Sequence, residues 1–162
     1  EKMGAKISIN NKRHETNDTI VDISSEYSPL KPINISGDVI SDLIDELPIL
    51  FIACAACKGV SNINNIEELR YKESDRINSM ERGLNILGIK TESTQDSIKI
   101  HGGDFTGGIV DSYGDHRVAM AFSIAALISK KPITILNTDN ISTSFPNFID
   151  ILTEIGVELY ET

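Results

Sequence analysis

Three stretches of the chain set an apolar residue before a glycine and an alternating run: Met3-Gly4-Ala5-Lys6-Ile7, Leu87-Gly88-Ile89-Lys90-Thr91 and Ile155-Gly156-Val157-Glu158-Leu159. In each, the glycine reads as the left-handed cap that ends a helix and launches a strand. Ahead of the second copy, Ile77, Met80, Leu84 and Leu87 recur at the three-four spacing of one buried helical face. Ahead of the third, Phe148, Ile149, Leu152 and Ile155 do the same. The helix expected before the first copy has no residues to form it, which predicts a chain that starts inside a structural unit.

Between the caps, alternation predicts strands at Ala5 to Ile9, Thr19 to Ile23 and Ile33 to Ser36, then an apolar helix from about Asp45 to Cys57. A strand from about Gly59 to Ile63, a charged loop and a helix from Glu73 to Leu87 follow. Strands at Lys90 to Ser93 and Ser97 to His101 form a hairpin across Thr94-Gln95-Asp96, and Ile109 to Asp111 is a further short strand. The helix Asp115 to Ile128 is apolar nearly all round (Val118, Met120, Phe122, Ile124, Leu127), so it is expected to be buried. Pro132 to Leu136 is a strand leading to a last helix with Ser144 as N-cap and Pro146 in its first turn. The sum is an α/β repeat with approximate boundaries near 1–88 and 89–162, each copy carrying two helices and several strands.

Composition narrows the function. The 162 residues suffice for one domain with a real core, or two small lobes. A net charge of −9 and 6% aromatic content argue against nucleic-acid binding, which needs excess Lys and Arg or stacking platforms. The apolar run Leu47 to Cys57 is 11 residues, too short for a membrane span and right for a core helix. No basic-then-apolar leader opens the chain, which points to a cytoplasmic protein. Cys54 and Cys57 form a C-x-x-C inside that apolar run and read as buried core thiols. No His spacing suggests a metal site.

Against this acidic background, cations gather twice at predicted helix starts. Leu69-Arg70-Tyr71-Lys72-Glu73-Ser74-Asp75-Arg76 places Lys72 and Arg76 four apart on one helical face, with Glu73 three before Arg76. A helix start with free N–H groups beside them would suit a carboxylate or phosphate, with Glu73 as proton carrier; ordinary surface ion pairs explain the spacing equally. In Tyr113-Gly114-Asp115-His116-Arg117, Asp115 is a good N-cap, and Arg117 is either an anion fork or the partner of a structural carboxylate. Asp45, an acidic residue at the head of the apolar helix, is a third candidate or simply a cap.

Asp45-Glu46-Leu47-Pro48, Leu69 through Arg76, Gly114-Asp115-His116-Arg117-Val118-Ala119-Met120 and Ser144-Phe145-Pro146-Asn147-Phe148 occur in the order found in the C-terminal portion of the EPSP synthase (3-phosphoshikimate 1-carboxyvinyltransferase) family, which the chain resembles over essentially its whole length. The K-E-[ST]-D-R and D-H-R-x-[AG]-M pair carries the resemblance. It implies an inside-out α/β fold of repeated βαβαββ units, helices inside and sheets outside, present here as most of one domain of two. The implied reaction transfers the enolpyruvyl group of phosphoenolpyruvate to the 5-hydroxyl of shikimate 3-phosphate, releasing phosphate, in chorismate biosynthesis, with no metal or organic cofactor. Asp45 would accept the hydroxyl proton and contact substrate, and Glu73 would shuttle a proton at the enolpyruvyl carbon. Lys72 would contact shikimate 3-phosphate. Arg76 and Arg117 would grip phosphoenolpyruvate, with His116 a lesser neighbour.

Two positions depart from the family pattern. Thr143, by the resemblance a candidate phosphoenolpyruvate contact whose hydroxyl can donate a hydrogen bond but carries no charge, stands where many members carry a lysine on the phosphate, and Glu68-Leu69 stands where some carry Asn-Trp. Because the family's N-terminal domain supplies the other half of the site, the chain alone is expected to have no turnover, and exposed apolar surface would favour self-association. The rival readings are the related UDP-N-acetylglucosamine enolpyruvyl transferase and a non-catalytic anion-binding domain.

Overall fold

A computed structural model describes residues 1–16 and 18–160. The chain opens with an antiparallel hairpin of β1 (Lys6–Glu15) and β2 (Asp18–Glu26), whose register shifts at a bulge between Asn10 and Arg13. Next come β3 (Asn34–Ile35), α1 (Val39–Leu43), a 3₁₀ turn (Ile44–Glu46) and α2 (Leu47–Ala55). Then follow β4 (Val60–Asn64), a second 3₁₀ turn (Glu67–Tyr71), α3 (Arg76–Ile86), β5 (Thr91–Ser93) and β6 (Ser97–His101). The rest is β7 (Gly108–Asp111), α4 (His116–Ala126), β8 (Ile133–Leu136), α5 (Ile141–Ser144) and α6 (Phe148–Glu154).

From β3 to β6 the chain runs β3-α1-α2-β4-α3-β5-β6, a β-α-β-α-β-β unit whose first helical segment is broken by the 3₁₀ turn, with the four strands in one sheet of order β3-β4-β6-β5. β3 and β4 pair in parallel, and the β5–β6 hairpin adds antiparallel to β4. β7 and β8 repeat the parallel pair. Gly4, Gly88 and Gly156 have φ of 80°, 87° and 92°, the left-handed geometry expected of the three caps. After Gly156, however, the backbone is irregular through Tyr160, with no strand assigned.

The core lies where α2, α3 and α4 meet, covered on the strand side by Ile63, Ile98 and Ile100. α2 is apolar on all sides, and Leu47, Phe51, Cys54 and Ala55 have no exposed surface. Each fully buried Leu, Ile or Phe contributes about 1.5–3 kcal/mol of transfer free energy, so this triple-helix contact is the main support of the fold. Cys54 and Cys57 are free and buried, as expected, and burial pushes the Cys54 thiol up to about 11, which keeps it unreactive. No helix among the described residues is long and apolar enough to cross a membrane.

Several boundaries move, each for a local reason. The apolar helix begins at Leu47, not Asp45, because Pro48 lacks an N–H and fits only the first turn. α3 begins at Arg76, not Glu73, because Asp75 leaves helical geometry (ψ 87°) and accepts from the Asn78 N–H. Lys72 is therefore extended (ψ −159°), and it does not share a helical face with Arg76. Ser144 is the last residue of α5, and α6 starts only after Asn147. α4 is less buried than its composition suggests: Val118 and Phe122 are enclosed, Met120 and Ile124 are half-buried, and Leu127 is 46% exposed.

α3 and α4 approach closely at Gly83, where an added Cβ would sit 2.2 Å from the Phe122 ring. Gly83→Ala is expected to destabilise the protein by about 1–3 kcal/mol, because overpacking outweighs the gain in helix propensity. The check is the thermal midpoint. An unchanged or raised midpoint would mean that Phe122 can swing aside at no cost.

Candidate active site

Arg76 is the first residue of α3, and its side chain is 1% exposed. A guanidinium this buried needs carboxylate partners. It has three, from three separate segments. Nε donates to Asp115 Oδ2 at 2.8 Å, Nη1 to Asp45 Oδ1 at 3.0 Å and Nη2 to Glu73 Oε2 at 2.6 Å. One side chain thereby gathers all three sequence clusters.

Asp115 is the pivot. As N-cap of α4 it is wholly buried, and its Oδ1 accepts from the N–H groups of Arg117 and Val118 at 2.9 and 3.3 Å. Its Oδ2 takes Arg76 and the Ser74 hydroxyl. The turn that delivers it is tight: Tyr113 (φ 55°) and Gly114 (φ 72°) are both left-handed. Both candidate helix ends are thus capped by the protein's own carboxylates, Asp75 on α3 and Asp115 on α4. The Asn78, Arg117 and Val118 N–H groups are therefore committed to these carboxylates rather than open to an anion.

Asp45 lies in the 3₁₀ turn before α2 and makes no side-chain cap bond, so it is not the N-cap that its position suggested. It faces Arg76 instead, with Lys72 Nζ 3.8 Å away. Partial desolvation pushes the Asp45 carboxyl up, but the Arg76 hydrogen bond and the charges of Arg117, Lys72 and Arg76 together hold it below the ordinary carboxylate value. Lys72 is held above its ordinary value, first by its hydrogen bond to Glu68, 2.6 Å away. For Arg76, burial works against the charge, and Asp115, Glu73 and Asp45 more than compensate.

Arg117 Nη1 donates to the Asp45 carbonyl and to Glu46 Oε1, both at 2.8 Å. It stands at the rim of a notch of about 200 Å³ with walls that include Met120, Ile124, Phe145 and Phe148. His116 is half-buried at the start of α4, outside this hydrogen-bond network. Thr143 is exposed on α5, and its hydroxyl donates to the Asn140 carbonyl at 2.8 Å.

The arrangement contains residues that sequence reasoning left out. Glu68 was visible as a departure from the family pattern, and its i,i+4 spacing to Lys72 signalled the ion pair. The pairing of Glu46 with Arg117 carried no signal, because nothing local links positions 71 apart. Arg70 holds Asp75 at 2.7 Å and the Thr94 and Gln95 carbonyls, which ties the α3 cap to the β5–β6 hairpin. Chemically, the site offers two half-exposed carboxylates, Asp45 and Glu73, on two arms of one buried cation, with Lys72 and Arg117 accessible on either side.

The family model for EPSP synthase (3-phosphoshikimate 1-carboxyvinyltransferase) matches residues 1–152. A 3-phosphoshikimate 1-carboxyvinyltransferase of Ruthia magnifica subsp. Calyptogena magnifica is 44% identical over 159 residues, covering 97% of this chain and 37% of the relative. One of Legionella pneumophila (strain Paris) is 42% identical, covering 98% of this chain and 37% of the relative. The structure of EPSP synthase from Acinetobacter baumannii superposes with a TM-score of 0.90 at 42% identity, over 94% of this chain and 36% of that one. The enolpyruvyl transferase NikO from Streptomyces tendae shares the fold, with a TM-score of 0.67 at 18% identity over 97% of this chain and 34% of that one. The chain thus spans little more than a third of the length of these relatives. It belongs to the EPSP synthase (3-phosphoshikimate 1-carboxyvinyltransferase) family.

Proposed function

We propose that the chain is most of one domain of a cytoplasmic 3-phosphoshikimate 1-carboxyvinyltransferase and carries the proton-transfer half of its active site. The whole enzyme would join the 5-hydroxyl of shikimate 3-phosphate to the central carbon of phosphoenolpyruvate, protonate the methylene, and then expel phosphate as a proton leaves the new methyl group. That sequence needs a base at the hydroxyl, a proton carrier at the methylene and cations for two anionic substrates. The reading is supported by Asp45 and Glu73 bonded to different arms of the Arg76 guanidinium, which fixes two carboxylates near one reaction centre. Asp45 is the proton acceptor in this reading, and Glu73 serves the enolpyruvyl carbon.

Lys72 and Arg117 are the cations an incoming anion reaches first, Lys72 for shikimate 3-phosphate and Arg117 for phosphoenolpyruvate. Arg76, almost unexposed, would reach phosphoenolpyruvate only as Asp45 or Glu73 releases its arm. Glu46, Glu68, Asp45, Glu73 and Asp115 surround Arg76, Lys72 and Arg117, so carboxylates outnumber cations here. Two polyanionic substrates therefore need positive charge from a second domain, and the chain alone should not turn over.

The test is phosphate release by the purified full-length protein. Release should require phosphoenolpyruvate and shikimate 3-phosphate together and should be absent from the isolated chain, as in its Glu73→Ala variant. Release with UDP-N-acetylglucosamine as acceptor would move the protein to the sister activity. Full-length protein silent with both acceptors would leave only an anion-binding domain.

A further inference from the structure

Glu46 is unused by the mechanism above, yet it occupies the most accessible guanidinium of the site. Its Oε1 lies 2.8 Å from Arg117 Nη1, and the same nitrogen donates to the Asp45 carbonyl at 2.8 Å. The Glu46 backbone is fixed, because the next two residues, Leu47 and Pro48, are buried at the start of α2. Its side chain is 63% exposed and can swing into solvent without disturbing anything packed. The Asp45 carbonyl gives Arg117 a second acceptor that does not depend on the Glu46 side chain. The carboxylate thus sits on Arg117 as a removable stand-in, at the rim of the notch beside Met120 and Phe145.

We propose that Glu46 is a built-in competitor for Arg117: a carboxylate that pairs with its Nη1 arm and must be displaced by the phosphoenolpyruvate anion. The inference rests on the proposed reading of Arg117 as the phosphoenolpyruvate grip. When the binding-competent form is only a fraction of the population, apparent affinity falls by that fraction. Glu46 would therefore set the Michaelis constant for phosphoenolpyruvate without taking part in proton transfer. Its displaced carboxylate moves into water, so no buried charge is stranded by binding.

The experiment uses full-length enzyme with saturating shikimate 3-phosphate. Glu46→Gln keeps the side-chain shape and removes the charge, and it should lower KM for phosphoenolpyruvate about twofold to fivefold, the range expected for a partly exposed ion pair, with kcat little changed. The gain should shrink as salt rises toward about 1 M, where screening reaches within a few ångströms. Asp42→Asn, at an exposed carboxylate on α1, controls for a general change in the local field and should leave KM nearly unchanged. A mainly structural role for Glu46 would weaken binding or stability on substitution, so improved affinity is the diagnostic outcome. An unchanged or raised KM in Glu46→Gln, or an equal drop in Asp42→Asn, overturns the inference. Arg117→Ala separates the two levels. If it leaves KM for phosphoenolpyruvate untouched, the reading of Arg117 fails and the inference with it. If it raises KM while Glu46→Gln changes nothing, the competitor role alone is lost.

Discussion

Asp115→Ala in the full-length protein should cost about 3–5 kcal/mol of stability, the range for removing one partner of a buried ion pair. The carboxylate it removes is completely enclosed and accepts from Arg76 Nε, the Ser74 hydroxyl and the N–H groups of Arg117 and Val118. Alanine would leave the first turn of α4 uncapped and the Arg76 guanidinium missing its one fully buried partner. Cap loss alone accounts for about 0.5–2 kcal/mol, so a larger measured loss assigns the remainder to the stranded cation. Asp115→Asn separates the two contributions. Its amide oxygen can keep the cap, while its NH₂ turned toward Arg76 cannot accept, so its loss should fall between wild type and alanine. Denaturation midpoints for the three proteins provide the check. An alanine variant within about 1 kcal/mol of wild type would mean that Asp45 and Glu73 alone can satisfy Arg76, against the usual cost of an under-paired buried charge.

Asp115 also shows how far the sequence could be read. Its role as N-cap was legible, because a glycine turn before an apolar helix and an acidic residue at its head are local signals. Its second role was not, since Arg76 lies 39 positions away and reaches it only when α3 and α4 pack. The same division holds elsewhere. The glycine caps, the β5–β6 hairpin and the helices around Met80 and Phe122 are periodic and local, and all were visible. α3 starts three residues later than the expected Glu73, because Asp75 as cap overrides the helix propensity of the residues before it. Lys72 and Arg76 were paired by helical spacing; they do come close to one site, but through Asp45 rather than through a shared helix face. Thr143 was placed among the candidates by the family pattern, and its hydroxyl is committed to its own backbone. Side-chain partners across segments depend on packing angles, which residue type and spacing do not encode.

On the proposed reading of Glu73 as proton carrier, Glu73→Gln in the full-length enzyme should lower kcat by about 10²- to 10⁴-fold, with much smaller changes in KM. Glutamine keeps an acceptor oxygen for Arg76 Nη2, now 2.6 Å from Glu73, so the fold and the Asp45 arm should persist. A stability change well below that of Asp115→Ala would confirm that the lost rate is chemical. Asp45→Asn tests the other arm and adds a pH signature. Because the Asp45 carboxyl is held below its ordinary value, the ionised, proton-accepting form persists above that depressed value and is lost as pH falls through it. The acid limb of the kcat/KM profile, which reports the free enzyme, should thus fall below the ordinary carboxylate value where Asp45 sets it, and vanish in Asp45→Asn. Since both carboxylates hang from Arg76, their effects should couple: the double variant should lose far less than the product of the single losses. Strict multiplicativity would show two independent groups and would remove Arg76 as the element that makes them one device.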